Sequence, residues 1–154
     1  MNKLVLSLVV CLMVASLLVP GSLQASGSQE KKIVTAAQVN GTWQYRENVF
    51  RIWALGRQRL KIEFEGAYKY KIRGEWTANL GFGEGIARID GDTAIFKPEG
   101  IPEEEECKIT MRFTGGKLIV EQEGETCGFG HNVYANGTYR RISRTKPTFG
   151  KAMP

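Results

Sequence analysis

The sequence predicts an all-β protein, and three observations support that fold class. Apolar and polar residues alternate over 60–72 and again over 107–114, which is the period of a half-buried strand. Glycine-containing turn pairs such as Asp90-Gly91 and Gly115-Gly116 follow strand-like runs, and no amphipathic helical pattern of about ten residues or more follows residue 25. The consecutive hairpins favour a small antiparallel up-and-down β-barrel of about eight strands, because closure removes exposed edges. A β-sandwich is the alternative.

The first 25 residues have the pattern of a signal peptide. Lys3 precedes an uncharged apolar run over 4–19, and Ala25 precedes a polar stretch. We expect cleavage after Ala25, with Gly27 as the alternative site. The run is shorter than the ~20 residues that span a bilayer, so no stable membrane span is expected after cleavage. The mature protein is therefore predicted to be periplasmic or secreted, with a flexible N-terminal segment over 26–38.

The barrel domain is predicted to cover 39–144, and short strands are expected in its first half. Strand-like runs occupy 42–46, 49–55, 85–90 and 93–97. The long alternating run over 60–72 predicts either one strand kinked at Gly66 or two strands joined by a turn at 65–67. The glycine-rich stretch 81–85 is expected to be a flexible connection, since no Lys-Ser/Thr follows it as in a phosphate-binding loop.

The second half contains the clearest hairpin signal. A two-residue loop at Gly115-Gly116 would pair Phe113 with Leu118 and Met111 with Val120, so that apolar residues face each other. A last strand is expected over 133–143. The residues after it, 145–154, are predicted to form a basic C-terminal tail.

Cysteine usage predicts one disulfide bond. Cys11 lies in the leader and is removed with it, which leaves Cys107 and Cys127 as an even pair in an oxidising compartment. The loop closed by this bond would hold about 20 residues, for which the chain-entropy estimate is about 3 kcal/mol.

Two Asn-Gly-Thr motifs, Asn40-Gly41-Thr42-Trp43 and Asn136-Gly137-Thr138-Tyr139-Arg140, lie at the first and last strands. The first of them resembles the Gly-x-Trp opening of lipocalin-like barrels. That resemblance implies that Trp43 plugs one end of the barrel, and that Arg140 or Arg141 from the last strand packs over it.

The last third of the chain also resembles small secreted bacterial domains that occur alone or with lysozyme-inhibitor-like envelope proteins. The similarity lies in Cys107, the Gly115-Gly116 turn, the stretch 127–130 and the closing 137–139 strand. It implies export, and it suggests inhibition of a cell-wall hydrolase as a function.

Charge and titratable residues exclude several classes of function. The net charge is +5, but acids concentrate at 103–106 and cations near the C-terminus, so neither a nucleic-acid partner nor a lipid-headgroup surface is expected. Glu63 and Glu65 fall on the polar face of their strand, which predicts solvated carboxylates. His131 is the only histidine, so no metal site, cofactor or catalytic group is predicted, and the protein is not expected to be an enzyme.

Aromatic residues are the remaining functional signal. Trp53, Tyr70, Trp76 and Phe82 offer flat surfaces with polar edges that suit a sugar or an apolar ligand at a barrel mouth. The sequence therefore predicts a non-enzymatic exported binding protein for a small apolar or glycan ligand. The alternative is a protein inhibitor of a cell-wall hydrolase such as lysozyme, acting through an exposed loop at 103–106 or 128–132.

Overall fold

The computed structural model describes residues 33–125 and 127–150, and the predicted signal peptide 1–25 lies outside them. These residues form a closed barrel of eight antiparallel strands, in which each strand pairs with its neighbours in sequence and β1 pairs with β8. The all-β barrel prediction is confirmed, and the β-sandwich alternative is excluded. The strands are β1 Gly41–Tyr45, β2 Asn48–Gly56, β3 Arg59–Ile72, β4 Glu75–Asp90, β5 Thr93–Phe96, β6 Lys108–Thr114, β7 Lys117–Glu123 and β8 Gly137–Ser143, preceded by the one-turn helix α1 Ala36–Val39.

Strands β3 and β4 are much longer than the others. The alternating run over 60–72 forms one strand, and β4 begins about ten residues before the predicted start at 85. Pairing of β2 with β3 ends at Glu65, whereas β3 and β4 stay paired to their turn at Arg73-Gly74. Residues 67–80 therefore project beyond the barrel. We call them the ribbon, the nearby barrel end the ribbon end, and the end beside α1 the helix end.

The β6–β7 hairpin has the predicted register. Phe113 pairs with Leu118 and Met111 with Val120 across the turn at 115–116. These four side chains are buried in the barrel, where full burial of each contributes about 1.5–3 kcal/mol. The apolar pattern and the turn together determine this register, since a slip by one residue would expose every apolar side chain.

The predicted disulfide is confirmed by the geometry of its two cysteines. The sulfur atoms of Cys107 and Cys127 are 2.13 Å apart and the Cα atoms 4.9 Å apart. Both residues are buried at the ribbon end, where the bond links the start of β6 to the segment after β7. A buried pair of this kind is typical of proteins exported to an oxidising compartment.

Strand β8 begins at Gly137, four residues after the predicted start at 133. The preceding residues form a connection across the ribbon end, where Val133 and Ala135 are buried. The Asn48 side-chain amide donates to the Tyr134 carbonyl oxygen at 2.7 Å, and the Ala135 N–H donates to Gln122 Oε1. The connection is therefore fixed to β2 and β7, and its apolar residues contribute to the core.

Candidate functional site

Protein side chains fill the barrel interior at the ribbon end. The inward positions 81, 83 and 85 of β4 are glycines, and a β-carbon on Gly83 would lie 3.0 Å from the Pro98 side chain and 3.1 Å from Phe129. The Phe129 ring packs against Phe64 with centroids 4.6 Å apart. A β-carbon on Gly81 would lie 2.7 Å from Val133. The glycines therefore make room for the connecting segments, and the protein's own side chains occupy the position where a carrier barrel would hold its ligand.

An aromatic–arginine pair closes the helix end. Trp43 is fully buried, and its indole N–H donates to the Val39 carbonyl oxygen at 3.0 Å. The guanidinium of Arg141 lies 4.6 Å from the Trp43 ring centroid and donates to three main-chain carbonyl oxygens within 37–40. Of the two arginines considered from the sequence, Arg141 occupies this position, while Arg140 is exposed on the outer face. Burial lowers the pKa of Arg141, and the charge of Arg144 lowers it further.

The four aromatic residues predicted to bind a ligand do not converge on one pocket. Trp53 and Phe82 lie on the outer face of the barrel, as their pairing with Lys61 and Glu65 shows. Tyr70 and Trp76 lie on opposite faces of the ribbon. Tyr70 continues the series of even-numbered residues of β3 that face inward, whereas Trp76 pairs with Lys71 on the outer face. Among these four residues, only Trp76 and Phe82 lie on the same face of the same strand.

That shared face is an exposed apolar surface. On β4, Trp76 is 71% exposed, Leu80 70% and Phe82 46%, and Ile86 continues the same face. Together they span about 30 Å along the strand. Ala78 and Glu84 also lie on this face, between the large apolar residues. Single exposed apolar residues are ordinary, but four large ones on one face of a strand indicate an interaction surface. The sequence analysis identified two of these residues and missed Leu80 and Ile86. The available signal was the alternation over 80–86 of glycine with larger residues, of which Leu80, Phe82 and Ile86 are apolar.

The ribbon carries basic residues beside this surface. The Lys71 ammonium lies 4.7 Å from the Trp76 ring centroid, which is the geometry of a cation–π contact. Lys69 pairs with Glu47 at 2.9 Å, in an ion pair of which both members are about half exposed. Arg73 is exposed in the turn. An apolar surface is thus flanked by cations that solvent can reach.

The prediction of solvated carboxylates at Glu63 and Glu65, which we call the carboxylate pair, is wrong. Both residues are buried, and Arg51 contacts them at 2.7 and 3.0 Å respectively. The residues expected to begin a basic tail lie over this site: the Gly150 N–H donates to Glu63, and the Phe149 ring lies 4.8 Å from the Lys61 ammonium. The polar face of β3 is therefore covered by the C-terminal segment, and Arg51 supplies one positive charge to the two carboxylates. Their burial differs from the open cleft in which a glycosidase holds its two carboxylates.

The other residues considered from the sequence have structural partners. The His131 carbonyl oxygen accepts a hydrogen bond from the Asn79 side-chain amide at 2.7 Å, which links the ribbon to the 128–134 connection. The main chain at the acidic stretch 103–106 is held by Lys97, whose ammonium donates to the Pro102 and Glu105 carbonyl oxygens, at 2.6 and 3.2 Å. Among residues 33–125 and 127–150, no three His, Cys, Asp or Glu side chains are grouped so that they could hold a metal ion.

Comparison of the chain with protein-family models, with curated proteins and with solved structures found no match. The resemblances to lipocalin-like barrels and to lysozyme-inhibitor-associated domains therefore stay predictions. In the described part of the chain, no helix has the length and apolar character required to cross a membrane.

Proposed function

We propose that the mature chain is a non-enzymatic, periplasmic or secreted binding protein that engages an external partner through its outer surface. The observation that carries this proposal is the exposed apolar face formed by Trp76, Leu80, Phe82 and Ile86 on β4. Burying such a face against a partner removes apolar area from water, at about 25 cal/mol per Å². The surrounding cations would give the contact its preference for an anionic partner.

The filled interior supports an external site over an internal one. Carrier barrels bind small ligands in an apolar cavity of several hundred Å³. Here Phe129 and Pro98 occupy the ribbon end, and Trp43 with Arg141 covers part of the helix end. A cleft of about 380 Å³ remains at the helix end, between the 33–39 segment and inward-facing residues such as Leu60 and Ile89. The proposal places the partner on the outer surface, so native mass spectrometry of the mature protein should show no small-molecule adduct. A stoichiometric adduct would contradict the proposal.

Site-specific photo-crosslinking tests the proposed surface. A benzophenone amino acid at position 80 is expected to form covalent adducts with the partner, protein or lipid, in cells that express the protein. The same amino acid at position 142 is the matched control, because Ile142 is 52% exposed on the outer face of β8, away from the ribbon. Equal adduct formation from both positions, or none from position 80, would contradict the proposal.

Inhibition of a basic cell-wall hydrolase such as lysozyme is a second candidate function. The observation that favours it is the acidic loop: Lys97 holds its main chain, and Glu103, Glu104 and Glu106 lie at the surface. Ordered acidic loops complement basic enzymes electrostatically. If this candidate is correct, the mature protein reduces lysozyme activity, and replacing the three glutamates with glutamine relieves the inhibition. If adding the wild-type protein leaves lysozyme activity unchanged, this candidate function is excluded.

A further inference from the structure

The ribbon differs from the rest of the outer surface in carrying exposed apolar side chains on both faces. Tyr68 and Ile72, which are 42% and 53% exposed, lie on one face, and Trp76 and Leu80 lie on the other. A folded protein that docks against one face of a two-stranded ribbon leaves the other face in water. A fluid interface that surrounds the tip covers both faces at once.

The ribbon is also basic. Residues 67–80 contain Lys69, Lys71 and Arg73 but a single acid, Glu75, which gives a local charge of +2. All four of these charged residues are exposed. On the outer face of β3, the acids nearest to the ribbon are the carboxylate pair, which Arg51 and Gly150 contact. Glu47 pairs with Lys69. Lys71 and Arg73 are exposed, so their positive charges face solvent.

We propose that the ribbon docks on the surface of a bilayer that contains anionic lipids, although the charge pattern of the sequence predicted no lipid-headgroup surface. This inference rests on the proposed function above. Trp76 and Ile72 would enter the headgroup region from the two faces of the tip. The ammonium of Lys71, already stacked on Trp76, and the guanidinium of Arg73 would contact lipid phosphates. Tryptophan prefers this interface because its ring is apolar and its N–H is polar.

Backbone polarity limits the depth of this docking. Along the ribbon, β3 pairs on one side with β4, and its pairing with β2 has ended at Glu65. The outer edge of β3 over 67–72 thus presents backbone N–H and C=O groups that need water or another polar partner, and such groups are not stable in hydrocarbon. The ribbon therefore rests in the hydrated headgroup layer and does not cross the bilayer. The contact is peripheral and reversible.

Vesicle co-sedimentation of the mature full-length protein tests the inference. Vesicles of phosphatidylcholine with about one third phosphatidylglycerol are compared with pure phosphatidylcholine vesicles, at low and at high salt. We expect binding to the anionic vesicles that weakens with salt, since each cation near an anionic surface contributes through a screened interaction. The double variant Lys71→Gln, Arg73→Gln should lower the partition coefficient by about 30-fold at low salt. Trp76→Ser should lower it by about tenfold.

Matched variants on the far side of the barrel separate this site from general charge. Arg112→Gln with Lys117→Gln removes two exposed cations from β6 and β7, and Ile142→Ser removes an exposed apolar side chain from β8. Both variants should bind as the wild type does. An equal loss in the ribbon and control variants, or binding to neutral vesicles alone, would overturn the inference.

The two proposals can fail separately. If position 80 crosslinks to a protein while the mature chain ignores anionic vesicles, the lipid inference is wrong and the ribbon remains a binding surface. An extended segment pairing with the free edge of β3 would be the partner expected in that case. If neither vesicles nor crosslinked partners are found, both proposals are wrong.

Discussion

Truncating Phe129 to alanine should destabilise the barrel, because this side chain fills the space left by the β4 glycines. Removal of a fully buried phenylalanine costs about 3–5 kcal/mol. Phe129 is only partly buried, with its ring 4.6 Å from Phe64, so we expect about 2–3 kcal/mol, or a fall in Tm on the order of 10 °C. Urea denaturation of the oxidised protein measures the loss. The control, Phe82→Ala on the outer face, should cost less than about 1 kcal/mol.

A double-mutant cycle with Gly83→Ala tests whether the glycines and Phe129 compete for one space. The new methyl group would lie 3.0 Å from Pro98 and 3.1 Å from Phe129, so Gly83→Ala should cost about 1–2 kcal/mol in the wild-type protein. With alanine at position 129, one of the two crowding groups is gone. The cost of Gly83→Ala should then be smaller by at least about 0.5 kcal/mol. Additive losses, or an unchanged stability in Phe129→Ala, would refute the account of a filled interior.

Three further outcomes follow from the structure. Replacing Cys107 and Cys127 together with serine should lower the free energy of unfolding by about 3 kcal/mol, measured by thermal denaturation; an unchanged Tm would contradict this. Burial raises the pKa of the Tyr139 hydroxyl above its ordinary 10.0, so the folded state favours the neutral phenol, and the resulting stabilisation is complete below about pH 10 and declines above it. Urea titrations from about pH 9 to about pH 11 should show a steeper loss in the wild type than in Tyr139→Phe, and parallel curves would refute the assignment. Arg51→Met leaves the buried carboxylate pair without its cation and should cost about 3–5 kcal/mol by the same assay, whereas a neutral result would mean that the pair is solvated.

The sequence predicts the barrel where side chains follow the simple rule of apolar inside and polar outside. The β6–β7 hairpin follows it, so its register could be predicted residue by residue. Strand β4 reverses the rule over 80–86, with glycines inside and Leu80, Phe82 and Ile86 outside, because connecting segments supply the inner side chains. The local pattern therefore predicts a flexible connection at 81–85, where the structure has a strand. Such inversions depend on tertiary contacts and are not visible in the local pattern.

The same kind of long-range contact explains what was missed at the sites. The carboxylate pair is polar by pattern but buried, because the C-terminal segment returns across β3 about 85 residues later in sequence, where Gly150 meets Glu63 at a separation of 87. The proposed binding surface was predicted only in part. Trp76 and Phe82 were predicted as ligand-binding aromatic residues, but placing them on one face with Leu80 requires knowing that 75–90 is one strand.

The closed topology determines the order in which the chain can fold. Seven of the eight strand pairings join neighbours in sequence, but β1 and β8 lie nearly the whole domain apart, as the pairing of Trp43 with Arg141 shows. Local hairpins form within microseconds, while contacts between distant segments form slowly. When the chain is synthesised or exported with its N-terminus first, the barrel cannot close until β8 is available to pair. Cys107 and Cys127, which are 20 residues apart, precede β8 and can form their disulfide before then. Until closure, the edges of β1 and β7 remain open to other chains, so a holding chaperone is of most use to this protein during that interval.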